Sequence, residues 1–132
     1  TLVCGGAGRP DGLEHGYFIK PTVFSNVSND MTVAKEEIFG PVLVMMPYDS
    51  IEEAISVAND TPYGLAGYVQ GNNMDAVMNV ASQIRAGNIN INGGSGDLHT
   101  PFGGYKQSGN GREWGAHGFT DYLEVKALSG AA

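Results

Sequence analysis

Two side chains of different chemistry, Glu37 and Phe39, stand two positions apart in the segment from Lys35 to Pro41. In an extended segment, residues i and i+2 project to the same side, so we expect the carboxylate and the ring to share one face. A carboxylate accepts hydrogen bonds from two ribose hydroxyls, and an aromatic face packs on a flat heterocycle. The alternative is a solvated glutamate pair beside a core phenylalanine, and the residues alone favour that alternative.

Glycine dominates a second candidate region near the end of the chain. Gly103, Gly104, Gly109 and Gly111 fall within nine positions, interleaved with aromatic and cationic side chains. Glycine adopts backbone conformations that are closed to other residues and lets another surface come close. The pattern therefore predicts an ordered functional loop over residues 101–113.

The preceding segment, residues 93–100, contains three polar side chains of interest: Ser95, Asp97 and His99. It follows a predicted strand, and ligands of open α/β sheets bind beyond the carboxyl ends of the strands. It therefore fits a functional loop, with Phe102 shortly after it. A flexible connector remains an equal alternative, because glycine and serine are common in plain loops.

Hydrophobic periodicity predicts the elements that position these residues. Apolar strands are expected at residues 42–46 and 65–70, and period-two alternation predicts a third at 88–92. A helix begins after Ser50, where Glu53 completes a capping box, and a second begins at Asn72 or Asn73. This order, β-α-β-α-β, predicts an α/β fold with a partial open parallel sheet.

Shorter elements flank this unit. Residues 2–4 form a strand candidate, and residues 17–24 form another that Pro21 restricts to a strand start or a sheet edge. A short helix is expected within residues 112–119, and the alternation of residues 122–128 predicts a C-terminal strand. We find no linker that divides the chain, so residues 1–132 are expected to form one domain.

The composition of the chain limits the classes of partner that it is expected to bind. The formal net charge is −7, which disfavours nucleic acid and anionic membranes, and no apolar run is long enough to span a bilayer. The single cysteine, Cys4, excludes an internal disulfide and fits a reducing, cytoplasmic compartment. The three histidines lack metal-ligand spacing, so no metal site is expected. The chain begins at Thr1, which predicts a processed protein or a part of a longer one.

Several motifs in order resemble the aldehyde dehydrogenase superfamily, in its C-terminal part. They are Gly16-Tyr-Phe-Ile-Lys-Pro-Thr-Val-Phe24, Glu36-Glu-Ile-Phe-Gly-Pro41, Asn59-Asp-Thr-Pro-Tyr-Gly-Leu-Ala66, Ala86-Gly-Asn-Ile-Asn-Ile-Asn92, Pro101-Phe-Gly-Gly-Tyr-Lys-Gln-Ser-Gly109 and Gly111-Arg-Glu113. The resemblance covers nearly the whole chain. It implies a parent enzyme that oxidises an aldehyde to a carboxylic acid with NAD or NADP.

The resemblance also implies roles for the candidate residues. Glu37 would hold the nicotinamide ribose hydroxyls and Phe39 would pack on the nicotinamide ring. Phe102 would line the aldehyde tunnel, and the loop with Ser95, Asp97 and His99 would form part of its mouth. Lys106 and Arg112 would be structural, bonding loop carbonyls or neighbouring carboxylates.

No catalytic residue is expected in this chain, because in that family the cysteine that forms the thiohemiacetal and the glutamate base lie further towards the N-terminus. The 132 residues alone are therefore expected to be inactive. Cys4 lacks the sequence context of that nucleophile and is expected to be a buried, inert thiol.

Two other functions stay open. One is a non-catalytic assembly module, in which residues 120–130 act as an oligomerisation strand. The family's use of its C-terminal strand implies a homodimer or homotetramer for the parent enzyme. The other is a coenzyme A-acylating semialdehyde dehydrogenase.

Overall fold

The computed structural model describes residues 1–130 and resolves into two compact units, Thr1–Thr61 and Pro62–Ala132. Each unit contains its own sheet, and the expectation that residues 1–132 form one domain stays a prediction.

The first unit contains a three-stranded sheet of order β1-β2-β3, formed by Leu2–Cys4, Thr22–Phe24 and Val42–Val44. β1 runs antiparallel to β2, and β2 runs parallel to β3. β2 begins directly after Pro21, as expected for a residue without an N–H. Thr22 is buried, and its hydroxyl accepts from the Gly6 amide (3.0 Å) and donates to the Lys20 carbonyl (2.8 Å).

Two helices complete the first unit: α1, a single turn at Thr32–Lys35, and α2 at Ile51–Asn59. The first half of the predicted capping box is confirmed at the start of α2. The second half differs, because the Glu53 carboxylate bonds to the amide of Asp49 and not to that of the N-cap residue Ser50. The Ser50 hydroxyl accepts from the Glu53 amide (3.1 Å), and the Glu53 carboxylate accepts from the Asp49 amide (2.8 Å). The Ser50 hydroxyl thereby satisfies one of the amides that a helix N-terminus leaves unpaired, and the Glu53 carboxylate fixes the residue before the N-cap.

An acidic residue, Asp60, lies at the C-terminal end of α2, where the helix dipole disfavours negative charge. The Asn29 side-chain amide donates to the Asp60 carboxylate (2.5 Å), and the Lys35 ammonium lies 3.7 Å from it. Nearby, the Ser28 hydroxyl donates to the Asp30 carboxylate, and this lowers the pKa of Asp30. These exposed contacts tie the segment around α1 to the end of α2.

The second unit is built on a β-α-β motif: β4 at Ala66–Val69, α3 at Met74–Gln83 and β5 at Asn88–Ile91. β4 and β5 are parallel, as predicted. The Asn73 side chain caps α3 by accepting from the Ala76 amide (3.1 Å). Val77 of α3 is buried, and α4 follows later at Gly115–Phe119.

The predicted three-stranded parallel sheet is correct for β4 and β5 but not for β3. The backbone groups of β3 pair with β2, and the pairing continues where the Met45 amide donates to the Phe24 carbonyl (2.8 Å). Parallel pairing is therefore present in both units. The fold is mixed α/β, with short sheets and flanking helices.

The C-terminal strand predicted for residues 122–128 is not found among the strands of the described residues. Thr120–Tyr122 form a 3-10 turn, and residues 123–130 have no ladder partner among the described residues. A strand requires hydrogen bonds to a neighbour, so association through residues 120–130 stays a prediction. In the described part of the chain, the helices are too short or too polar to cross a membrane.

We expect Ser50→Ala to lower the free energy of unfolding by about 1 kcal/mol, because the Glu53 amide loses its acceptor. Chemical denaturation of the chain measures the change. The matched control is Ser56→Ala, in the middle of the same helix and exposed, where no cap is lost. Equal effects of the two substitutions would contradict the capping role.

Candidate functional site

The first candidate pair, Glu37 and Phe39, lies in the loop between α1 and β3 of the first unit. Both residues are exposed in this chain, and Phe39 is 94% exposed. The core-phenylalanine alternative is therefore wrong for the described chain. A large aromatic side chain without cover is unusual for a soluble domain and indicates a surface that contacts another molecule or another part of a protein.

The backbone at Phe39 differs from the extended geometry assumed for the sequence. Its φ is 53°, in the left-handed region that non-glycine residues rarely adopt. The argument that Glu37 and Phe39 project to one side because the segment is extended is therefore incorrect. Strained backbone of this kind concentrates at ligand sites, so the observation supports a functional loop by a different physical route.

The glycine-rich region of the second unit is tightly anchored to the start of β5. A Cβ atom built on Gly87 would lie 1.6 Å from the carbonyl oxygen of Gly103. The neighbouring Asn88 side chain donates to the Pro101 carbonyl (3.2 Å) and accepts from the Gly103 amide (3.4 Å). Glycine is required at position 87 because the loop backbone occupies the space of a side chain.

A second anchor joins the loop to the segment before β4. The Gly64 amide donates to the Ser108 hydroxyl (3.0 Å), and the Gly64 carbonyl accepts from the Tyr105 amide (2.8 Å). A Cβ atom on Gly64 would lie 3.0 Å from the Cβ atom of Tyr105 in the loop. These contacts with Gly64 fix the middle of the loop, just as the contact between Gly87 and Gly103 fixes its beginning.

Arg112 holds the loop together from inside. Its Nη1 atom donates to the carbonyls of Gly104 (2.8 Å), Gly111 (2.8 Å) and Asn110 (3.3 Å). Its guanidinium also lies 5.4 Å from the centre of the Tyr105 ring, which is a cation–π distance. The predicted structural role of Arg112, bonding loop carbonyls, is confirmed.

Phe102 is positioned by both its backbone and its ring. It exchanges two backbone hydrogen bonds with Glu113 (2.8 and 2.7 Å), and its ring centre lies 5.0 Å from that of Trp114 at an interplanar angle of 33°. The contribution of Trp114 was missed by the sequence analysis. Its position one residue after Glu113 gave no signal, because the pairing of residues 102 and 113 depends on the folded loop.

The two rings border a concavity of about 610 Å³ within the second unit. Arg112, Glu113, Asp121 and Tyr122 also contribute to its lining. The wall therefore combines aromatic surface with charged groups of both signs. Such a mixture suits contact with a partly polar molecule, or with a polypeptide that brings both apolar and polar groups.

The residues of the preceding loop are exposed, and its second half is an ordered turn. The Asp97 carboxylate accepts from the His99 amide (2.9 Å), and the Asp97 carbonyl accepts from the Thr100 amide and hydroxyl (2.9 and 2.6 Å). The Leu98 carbonyl accepts from the Gly115 amide (3.2 Å). These bonds favour a structured loop over a flexible connector, while Ser95 lies exposed in the glycine-rich first half.

Cys4 is exposed in this chain, so its predicted burial is incorrect. All three residues of β1 are exposed, and since successive side chains point to opposite faces, the described residues leave both faces of this strand uncovered. Within the described residues, no group of three histidine, cysteine, aspartate or glutamate side chains is arranged to hold a metal ion.

A protein-family model and individual relatives both match this chain over nearly all of its length. The model of the aldehyde dehydrogenase family matches residues 1–128. The 3-succinoylsemialdehyde-pyridine dehydrogenase of a Pseudomonas species is 58% identical over 129 residues, which are 98% of this chain and 27% of that enzyme. The chain thus spans about a quarter of the length of such relatives.

Two solved structures are similar in both sequence and shape. One is a mutant of aldehyde dehydrogenase C from Pseudomonas syringae in complex with NAD+ and octanal, with TM-score 0.92 and 56% identity over 96% of this chain and 26% of that one. The other is an aldehyde dehydrogenase of Mycobacterium tuberculosis in complex with NAD+, with TM-score 0.87 and 54% identity over 92% of this chain and 25% of that one.

We expect Gly87→Ala to lower the free energy of unfolding by about 3 kcal/mol or more, because the new methyl group and the Gly103 carbonyl would occupy the same space. Thermal or chemical unfolding of the chain measures the loss. Gly96→Ala is the control, since a Cβ atom there meets nothing within 4 Å. A Gly87 variant as stable as the control would disprove the close backbone contact.

Proposed function

Because the chain belongs to the aldehyde dehydrogenase family, we propose that it is part of an enzyme that oxidises an aldehyde to a carboxylic acid with a nicotinamide cofactor. The chain contributes binding and positioning groups to that reaction. The thiolate nucleophile and the general base belong to the part of the enzyme outside these residues. The observation that carries the proposal is an exposed Phe39, on strained backbone, two residues after an exposed carboxylate.

Glu37 and Phe39 fit the nicotinamide half of the cofactor. The Glu37 carboxylate is exposed and accepts hydrogen bonds only, which suits the two hydroxyls of a ribose. The Phe39 ring offers an uncovered apolar face against which a flat pyridine ring packs. When bound, the cofactor supplies a hydride acceptor, and these two residues orient it.

NAD is the cofactor named for the two solved relatives, and it is the one we propose here. The prediction of NADP as the alternative is kept. Cytoplasmic localisation likewise stays a prediction.

Phe102 and the loop before it are proposed to line the path of the aldehyde. Phe102 is partly exposed, stacks on Trp114 and borders the concavity of the second unit. Asp97 shapes the turn through its bonds to the backbone of His99 and Thr100, so its contribution is to position the loop. Ser95 and His99 are exposed and offer polar groups to substrate at the mouth of this path.

We expect Glu37→Gln in the parent enzyme to weaken cofactor binding by roughly tenfold or more, because hydrogen bonds to a charged acceptor are stronger than those to an amide. Titration of the purified enzyme with NAD+ measures the dissociation constant. Glu36→Gln is the matched control, because Glu36 is an adjacent exposed carboxylate without a proposed role. Indistinguishable constants for the two variants would refute the assignment of Glu37.

A second role, assembly of subunits, is favoured by the C-terminal segment. Leu123, Val125 and Leu128 are 53%, 94% and 86% exposed, and the segment has no ladder partner among the described residues. A segment with unpaired backbone groups and alternating apolar side chains can form a strand by pairing with the edge of another chain. We propose that residues 120–130 serve the association of a homodimer or homotetramer in the parent enzyme.

If residues 120–130 join the subunits, Val125→Lys should lower the molecular mass of the oligomer of the parent enzyme in solution. The substitution places a charge where an apolar side chain meets the neighbouring subunit. Light scattering coupled to gel filtration measures the mass. Glu124→Lys on the neighbouring exposed position serves as the control for charge alone. An unchanged assembly in the Val125 variant would argue against this role.

A further inference from the structure

The sequence contains two Asn-Gly pairs, Asn92-Gly93 and Asn110-Gly111. This dipeptide is prone to a spontaneous reaction, because glycine has no Cβ to hinder attack on the preceding side chain. The backbone nitrogen of the glycine forms a bond to the side-chain Cγ of asparagine, the amide proton is lost and ammonia leaves. Water then opens the cyclic imide at either carbonyl, giving aspartate or isoaspartate.

The Asn92 side chain is held away from this reaction. Its Oδ1 atom accepts from the Gly71 amide (2.9 Å) and its Nδ2 atom donates to the Gly71 carbonyl (3.0 Å). The Asn92 amide also donates to the Val69 carbonyl (3.0 Å), at the end of β4. Attack by the Gly93 nitrogen therefore requires that both side-chain bonds break first.

Asn110 is in the opposite situation. Among the described residues, its side-chain amide has no hydrogen-bond partner, and the Gly111 amide donates to none of them. The space around the flanking glycines is open, since a Cβ atom on Gly109 or Gly111 would meet nothing within 4 Å. Asn92 and Asn110 are both exposed, so the difference lies in their hydrogen bonds and not in their access to water.

We propose that Asn110 is a site of spontaneous deamidation, and that Asn92 is protected by its bonds to Gly71. Deamidation at position 110 would affect the loop through the hydrogen bonds of Arg112. The Asn110 carbonyl is one of the acceptors of Arg112, together with those of Gly111 and the buried Gly104. An isoaspartyl residue adds a backbone carbon there, so it alters the carbonyl arrangement that holds the loop.

The test uses the full-length natural protein that contains this chain, incubated in its native state at mildly alkaline pH. Peptide mapping by mass spectrometry follows both sites, and the same protein in denaturant gives the intrinsic rate of each. In the native protein, Asn110 should react within a few-fold of its denatured rate, whereas Asn92 should be slowed roughly tenfold or more. If Asn110 deamidates no faster than Asn92 in the native protein, the proposal is wrong.

Two variants separate the chemistry from the stability of the loop. Gly111→Ala places a methyl group in open space and at a φ outside the left-handed region, so the fold should tolerate it while the reaction at Asn110 slows. Asn110→Gln should remove the product from that peptide altogether. If Asn110 in the Gly111 variant reacts as fast as in the wild type, the cyclic route is wrong.

Discussion

The close backbone contact between Gly87 and Gly103 is the constraint on which the second unit depends. No side chain fits between the start of β5 and the glycine-rich loop, since a Cβ atom at position 87 would lie 1.6 Å from a carbonyl oxygen. With the two backbones in contact, the Asn88 side chain hydrogen-bonds to the residues before and after Phe102, Pro101 and Gly103. The Phe102 ring is thereby placed against Trp114, so its position follows from a backbone contact made by two glycines.

Local signals were sufficient to predict much of the fold. The caps of α2 and α3, at Ser50 and Asn73, follow from side chains that accept from the first turn of the same helix. The parallel pair of β4 and β5 follows from the short β-α-β spacing. The partner of β3 was not predictable in this way, because an apolar run is compatible with any neighbouring strand and β2 lies outside the periodic region.

Glu37 and Phe39 were singled out by residue type, but their role at the cofactor came from the family resemblance and stays a prediction. The left-handed backbone of Phe39 has no signature in a phenylalanine side chain and could not be predicted. Burial was predicted least well, as Cys4 shows, because an apolar strand is exposed or covered according to what packs on the faces of its sheet. Arg112 was predicted correctly, since a guanidinium among glycines has carbonyls as its nearest acceptors.

Glycine-rich loops lose more conformational entropy on folding than other loops, so their order needs a compensating interaction. In this chain the compensation comes from polar side chains that bond to backbone groups of the loop: Asn88 at Pro101 and Gly103, and Arg112 at three carbonyls. With apolar side chains at these positions, the amides and carbonyls of the loop would bond to water instead. The loop would then not be held in a single conformation. Asn88, at the start of β5, thus positions the loop that carries Phe102, whereas Asn92, just after β5, positions the turn at Gly71.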